Sequence, residues 1–360
     1  MTHRKPDRMD IPTKETTYYP ALDRLKAVCR GLPRTRMMAT ARLDGLVILA
    51  LEIEKLLVDP TVKEHPFPIA AAHIDRAADQ IAAWASVDFA DGGEEIPDDP
   101  YHDLMEEMHR DLFQLLWTQF NADEYKERIS RYEKRLQDND LSNGFLTGMR
   151  CLDMGCGHGN FGHALLAGGA GHVVGIDVGM GSLRYAKSAR DRLGVGEDRF
   201  SLVLANVKKA PYPDNSFDLV LQNGVFHHVD DEDAAYREMA RLTKPGGWAW
   251  VYNEGEGSIG RDVFAVCVEI LADIPAHLVV QHFKHIGLNT GKRYHLSDGF
   301  NAIYRPATWE SLTGKLRKLG YVEFIRLKGS YPTDYDITDD HPFSAEKFGE
   351  GDLRILARKG

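Results

Sequence analysis

The chain of 360 residues carries 44 lysines and arginines against 54 aspartates and glutamates, a formal charge of −10, and 43% of its residues are apolar. That length suits about two domains with a sizeable core, and the acidic balance speaks against a general nucleic-acid-coating surface. The start MTHRKPDRMD lacks the apolar run of a secretory signal, the longest apolar span (46–58) contains Glu52, Glu54 and Lys55, and Cys29, Cys151, Cys156 and Cys267 form no CxxC pair. A soluble cytoplasmic protein is therefore expected, with no membrane span, zinc ribbon or disulfide framework.

Apolar residues recur at helical spacing up to about residue 120. Leu43, Leu46, Val47, Ala50, Ile53 and Leu57 form one stripe, and Ile74, Ala77, Ala78, Ile81 and Trp84 a second. Leu104, Met105, Met108, Leu112, Leu115 and Leu116 form a third. Pro60, Pro66 and Pro68 separate the first two helices, and DGGEEIPDDP (91–100) the second from the third. A further helix at 123–136 places Tyr125, Ile129, Tyr132 and Leu136 on one face.

From residue 150 the pattern changes to short β-rich runs: RCLDM (150–154), HVVGID (172–177), RFSLVL (199–204), FDLVLQ (217–222) and WAWVYN (248–253). Helices predicted at 159–168, 180–193 and 231–243 alternate with them, which implies a parallel sheet covered on both faces. An insertion to about residue 305 follows, then a helix at 308–319, the strand YVEFIRL (321–327), an acidic loop, and the strand DLRILAR (352–358). No internal repeat or low-complexity tract is present.

The strongest motif is LDMGCGHGNFG (152–162), a strand that ends at an acid and enters a glycine-rich turn opening a helix. Gly155, Gly157 and Gly159 let the backbone approach a ligand, and the helix start offers free N–H groups. Asp177 ends the next strand, where a carboxylate accepts both ribose hydroxyls of an adenosine. Gly157, Gly159 and Gly162 also satisfy GxGxxG, so nicotinamide-dependent oxidoreduction is the competing reading. Asp153 just before the turn, LANVKKAPYPDNSFDLVLQNGVFHHVDD (204–231) and LTKPGGWAWVY (242–252) weigh against it.

At these residues the sequence resembles the class I S-adenosylmethionine-dependent methyltransferases, closely over about 145–255 and more loosely beyond. The resemblance implies a doubly wound Rossmann-like, mostly parallel seven-stranded α/β sheet. It places Asp153, Gly155, Cys156, Gly157 and Gly159 at the amino-acid half of S-adenosylmethionine, and Asp177 at the ribose. Asn206, where the family usually has an acid, supplies a side-chain carbonyl for the adenine amino group, Val178 and Val207 flank the adenine, and Gln222 lies below the sulfonium. Lys244, Pro245, Gly246 and Gly247 are expected as a turn into the fifth strand. Cys156 is read chiefly as a small packing residue, because no thiolate-stabilising field is evident.

Methyl transfer from a sulfonium is an in-line displacement in which the protein fixes geometry and excludes water. A hydroxyl acceptor benefits from a general base, and in FHHVDD (226–231) His227 matches the family's histidine base better than His228 does. Packing and hydrogen bonding are the plainer role for both. The histidines His277, His282, His285 and His295 are irregularly spaced and are read as polar pocket or surface residues, so no metal is expected. Arg184, Lys187, Arg190 and Arg192 are read as a solvent face.

Four regions are expected: an N-terminal helical region at 1–122 serving as lid or dimer contact, the methyltransferase core at 123–253, a helical substrate cap at 254–305, and the core's C-terminal part at 306–360. The cap and the helix at 123–136 are expected to hold the acceptor, through Tyr125, Arg128, Tyr132, Tyr294, Tyr304 and Arg305, with Arg293 or Arg305 gripping a carboxylate. Tyr331 and Tyr335 are further candidates. The acceptor is expected to be a small molecule, with oxygen ahead of sulfur or nitrogen. No nucleic-acid partner is expected, and the missing (D/N)PP(Y/F) motif after strand four argues against many amino-group methylators. A homodimer through the N-terminal helices and a non-catalytic cofactor-binding subunit complete the alternatives.

Overall fold

The computed structural model describes residues 12–87, 94–96, 110–113, 115–116, 120–142, 144–302, 304–329, 334 and 341–360. Leu104, Met105 and Met108 of the third stripe, and Tyr331 and Tyr335, lie outside the described residues; Leu112 and Leu116 are buried against Val280.

The N-terminal part consists of α1 (Tyr18–Arg30), α2 (Arg36–Val58) and α3 (Pro66–Ala85). The apolar stripes of the sequence do not mark α1, because Pro20 interrupts its start. In a first turn proline costs nothing, since that N–H has no helical partner, and Tyr18, Ala21, Leu22, Leu25 and Cys29 then bury one face. Thr35 caps α2 by accepting from the Met38 N–H at 3.3 Å. Trp84, expected in the α3 stripe, is 48% exposed.

The α/β part runs α4 (Ala122–Asp138), β1 (Arg150–Met154), α5 (Asn160–Ala167), β2 (His172–Asp177), α6 (Met180–Arg192), β3 (Phe200–Leu204), β4 (Phe217–Asn223), α7 (Glu232–Leu242) and β5 (Thr243–Glu254). After it come α8 (Ile259–Leu271), α9 (Ala276–His285), α10 (Thr290–Asn301), α11 (Trp309–Lys318), β6 (Tyr321–Arg326), α12 (Ser344–Phe348) and β7 (Asp352–Lys359). The seven strands form one sheet in the order β3-β2-β1-β4-β5-β7-β6, with β7 antiparallel to both neighbours. Side-chain alternation splits the core in two. Leu152, Val174 and Val220 pack under α7 and α11, while Cys151, Val173 and Leu219 pack under α4 and α5.

Two expectations are corrected. Lys244 to Gly247 are not a turn before β5 but a bulge within it: the pairing jumps from Phe217↔Thr243 to Leu219↔Trp248, and Gly246 takes φ +73°. Arg190 is not on the solvent face, because its Nη1 reaches the Phe200 carbonyl at 2.9 Å and the residue is 5% exposed.

The N-terminal helices and the 254–305 insertion share one apolar core. Leu46, Ile53 and Ile74 from the first pack with Ile259, Val263, Phe283 and Phe300 from the second. Polar ties reinforce it: the Arg42 guanidinium reaches both Asp273 oxygens, at 2.8 and 3.0 Å, and His282 Nε2 lies 2.9 Å from Asp44 Oδ1. The two regions therefore form one helical body seated on the carboxyl edge of the sheet. No single described helix is long and apolar enough to cross a membrane.

Candidate active site

β1 ends at Asp153 and Met154, and the chain turns through Gly155, Cys156, Gly157, His158 and Gly159 into α5. The three glycines take φ of +79°, +52° and +80°, a region that a Cβ disfavours. The N–H groups of Gly155 and Cys156 donate to the Ile176 carbonyl at 2.8 and 2.9 Å, tying the turn to the end of β2. Asp177 completes the tie, accepting from the N–H of Gly157 at 2.9 Å and of Gly179 at 2.7 Å. A carboxylate offers about four acceptor sites, so one remains for a further donor beyond the backbone N–H groups of Gly157, Val178 and Gly179.

A cavity of about 810 Å³ opens along this edge. Asp153, Gly155, Cys156, Gly157, Asp177, Val178, Asn206 and Val207 line one end, and His227, His228, Arg128, Tyr132, Tyr294 and Tyr304 line the rest together with residues of the helical body. Asp153 is 3% exposed and takes no hydrogen bond among the described residues; burial, with Asp177 nearby, pushes its carboxyl up to about 7. A carboxyl so placed on a cavity wall matches a ligand's ammonium group. Val178 is 45% exposed, an apolar surface that an aromatic ring would cover, with Val207 buried beside the cavity. These residues fit S-adenosylmethionine: Asp153 and the turn for its amino-acid half, Asp177 for the ribose, Val178 and Val207 for the adenine. The Asn206 Oδ1 already accepts from the Lys208 N–H at 2.8 Å, so a ligand would share it. Burial, with the Asp177 and Asp153 carboxylates nearby, raises the Cys156 thiol well above the usual thiol range and disfavours the thiolate that a nucleophile needs.

α4 lies over the glycine turn, with its start fixed by a capping box between Asn121 and Glu124. Tyr125 OH donates to the His158 carbonyl at 2.8 Å, and the Tyr132 ring stacks on Phe161 at 4.4 Å while its OH accepts from Asn223 Nδ2 at 3.2 Å. The Arg128 guanidinium sits over the rings of Phe120 and Tyr294, at 4.5 and 5.2 Å.

His227 and His228 lie in a 3₁₀ turn after β4, their Nε2 atoms 3.0 Å apart, and His227 Nδ1 is 3.2 Å from Asn253 Oδ1. The Tyr304 ring packs on both, at 5.2 and 4.7 Å. Beyond it the wall becomes charged. Arg261 is ion-paired with Glu254, and its guanidinium lies 4.7 Å from the Tyr304 ring centre. Arg354, fully buried, stacks on Tyr252 at 4.0 Å and pairs with Asp334 and Asp352 at 2.7 and 3.0 Å. Burial raises Glu254 to about 7, against the pull of Arg261, and raises Asp298 to about 6. Opposite, Ala50, Ile53 and Leu57 of α2 and Val263 and Phe264 of α8 give an apolar face, with Glu54 paired to Lys292.

Five expected site residues do not reach the cavity. Gln222 is wholly buried and spends its amide on the turn, donating to the Tyr252 carbonyl and accepting from the Val225 and Phe226 N–H groups. Tyr125 is spent on His158, and Gly159 caps α5 beneath the turn, against Phe200. Arg305 donates to the Val229 carbonyl, and Arg293 is likewise tied to Leu288 and Thr290, so neither is placed to grip a carboxylate. Sequence reasoning missed Glu254, Arg261, Asp298 and Arg354. For Glu254 and Arg354 a signal existed, namely charged residues at inward positions of otherwise apolar strands; for Arg261 and Asp298, among the polar residues of α8 and α10, it did not.

Residues 152–251 match the family model described as a methyltransferase domain. Among curated proteins, the chain is 30% identical over 149 residues to sterol 24-C-methyltransferase ERG6B of Gibberella zeae, covering 39% of this chain and 38% of that protein. It is 39% identical over 109 residues to the ubiquinone/menaquinone biosynthesis C-methyltransferase UbiE of Shewanella sp. strain ANA-3, covering 29% of this chain and 42% of that one. The chain thus spans about two fifths of the length of these relatives. A solved S-adenosylmethionine-dependent methyltransferase of Thermotoga maritima, titled a possible histamine N-methyltransferase, is 18% identical over 72% of this chain and 98% of that one, at a TM-score of 0.40. The motif order, the strand order and the domain match agree: residues 152–251 of this chain match a methyltransferase domain, set in the sheet order that the resemblance to the class I S-adenosylmethionine-dependent methyltransferases implies.

Proposed function

We propose that the protein transfers the methyl group of S-adenosylmethionine to an oxygen of a small organic acceptor, with the His227–His228 pair taking the acceptor's proton. The observation that carries this reading is one cavity running from the glycine turn and Asp177 to the histidine pair and on to an apolar and charged chamber under the helical body. When bound, the cofactor supplies an activated methyl group on a sulfonium. The protein's residues do the rest. Asp153 and Asp177 anchor the two ends of the cofactor, α4 covers the turn and keeps water out, and Asn223 ties Tyr132 to the end of β4. The α2 and α8 side chains hold the acceptor's apolar part, and Arg261, Asp298 and Tyr304 its polar part. That charged wall holds Glu254, Asp298, Asp334 and Asp352 against Arg261 and Arg354, an acidic surplus that favours a neutral or hydrogen-bond-donating acceptor over an anion.

A second reading has carbon as the acceptor, and the names of two relatives, both C-methyltransferases, favour it. Product analysis with isotope-labelled methyl donor against a panel of phenols, enols, quinols and sterols decides between them, because O–CH₃ and C–CH₃ carbons differ widely in chemical shift. Tight binding of S-adenosylhomocysteine with no methylated product from any panel member would defeat both. We place the protein in the cytoplasm and propose a homodimer through α2 and α3, whose Ile48, Leu51 and Trp84 are exposed. A monomeric mass by light scattering would refute the dimer.

A further inference from the structure

We propose that Asn253 is the positioning residue of the histidine pair: it holds His227 with its proton on Nδ1, so that the two imidazoles take up a proton as one unit. This rests on the reading of the pair as the base. Asn253, in β5, is 2% exposed, and its Nδ2 lies 3.1 Å from the Glu254 carbonyl and 3.2 Å from the Arg305 carbonyl. Carbonyls only accept, so the amide's nitrogen must face them and its oxygen must face His227 Nδ1, 3.2 Å away. An amide oxygen brings no proton, so His227 Nδ1 carries one. In neutral His227 the lone pair is then on Nε2, and His228 Nε2, 3.0 Å from it, is the donor.

The same loop locks the backbone. The Arg305 N–H donates to the His227 carbonyl at 3.2 Å, so residue 305 is held by its N–H on His227 and by its carbonyl on Asn253. Among the described residues, the rings facing the pair are Tyr304, Tyr252 at 6.3 Å from His227, and Phe113 at 5.1 Å from His228. Charged groups stand one shell out: Glu254 next to Asn253, and Arg261 and Asp298 beyond Tyr304. Among the described residues it is the Asn253 amide oxygen, and no carboxylate, that lies within hydrogen-bond distance of His227, so an amide oxygen meets the positive end of the protonated pair.

The step balances as follows. The O–C bond forms as the acceptor's O–H and the C–S bonds break, the latter leaving its electron pair on sulfur. The proton ends on the pair, with both Nδ1 atoms then protonated, one hydrogen shared between the Nε2 atoms, and one positive charge in all.

The test is ¹⁵N–¹H long-range correlation on full-length protein labelled with ¹⁵N-histidine, with S-adenosylhomocysteine present and His227→Gln used for assignment. The expected result is a protonated Nδ1 and a bare Nε2 on His227; the reverse tautomer overturns the proposal. In Asn253→Asp the carboxylate should raise the pH at which the pair titrates by roughly one unit or more, and move the acid limb of the turnover profile upward with it. An unmoved titration overturns the proposal as well. If Asn253→Asp does not fold, the wild-type spectrum alone decides. A protonated Nδ1 without methyl transfer to any acceptor would support the positioning role and refute the base reading separately.

Discussion

Gly155→Ala tests whether the ligand turn is as tight as its geometry implies. Gly155 has φ +79°, and a Cβ built there lies 2.6 Å from both Cγ atoms of Val225. The left-handed backbone costs an alanine about 1–2 kcal/mol, and the overlap forces a shift of Val225 worth about 1–3 kcal/mol. A loss of about 2–5 kcal/mol is therefore expected in urea unfolding, with S-adenosylhomocysteine affinity falling at least about tenfold by calorimetry. Because Val225 follows directly on the Gln222–Gly224 turn, its displacement also moves the end of β4. Val225→Ala separates the two contributions. If overlap matters, the double variant should be less unstable than the sum of the singles by about 1–3 kcal/mol, while the backbone part persists. Gly155→Ala within about 0.5 kcal/mol of wild type, with full affinity, would refute the reasoning.

Asp153 is held neutral by burial up to about 7, far above its unfolded value of 3.8, so the folded state binds the extra proton between those limits. Stability should fall as pH rises from roughly 4 to 7 and level off above, and Asp153→Asn should flatten that slope in urea midpoints while weakening cofactor binding. Tyr125→Phe leaves the His158 carbonyl without its donor and should cost about 1–3 kcal/mol, with faster amide exchange at the start of α5. Arg261→Met leaves Glu254 buried without its cation and should cost about 3–5 kcal/mol, while Arg261→Met/Glu254→Leu recovers most stability but not turnover; recovered turnover would remove the pair from acceptor binding.

The sheet was legible because each of its features is local. Strands such as RCLDM and HVVGID have neighbouring apolar residues buried on both faces, and their ends match the sequence reading to within a residue. The glycine turn and Asp177 were legible for the same reason. What failed to show were contacts set by the tertiary fold and not by local pattern. Arg305 looked like an anion clamp until its guanidinium was found on the Val229 carbonyl, and Gln222 looked like a cofactor neighbour until both ends of its amide were found on backbone. Arg190 fitted a solvent stripe by spacing, yet one turn of packing against β3 buried it. In each case a long polar side chain chose a backbone partner that periodicity does not reveal.

The union of the N-terminal helices with the 254–305 insertion follows from the same long-range logic and bears on selectivity. Neither region buries its apolar face alone: Ile53 and Leu57 of α2 and Val263 of α8 lie in the shared core and also line the cavity. The polar pairs between the regions are buried or half-buried, with Glu54 on Lys292, Asp44 on His282 and Asp273 on Arg42. Pairs of that kind contribute little net stability but penalise wrong registers strongly, because a displaced partner leaves a desolvated charge. They therefore fix how the two helical regions meet, and with it the width of the chamber beside the histidines. In the proposed function the cofactor end is built by the sheet and its turns and the acceptor end by helices whose sequences share nothing with that motif, which would put the chemistry and its selectivity on separate parts of the chain.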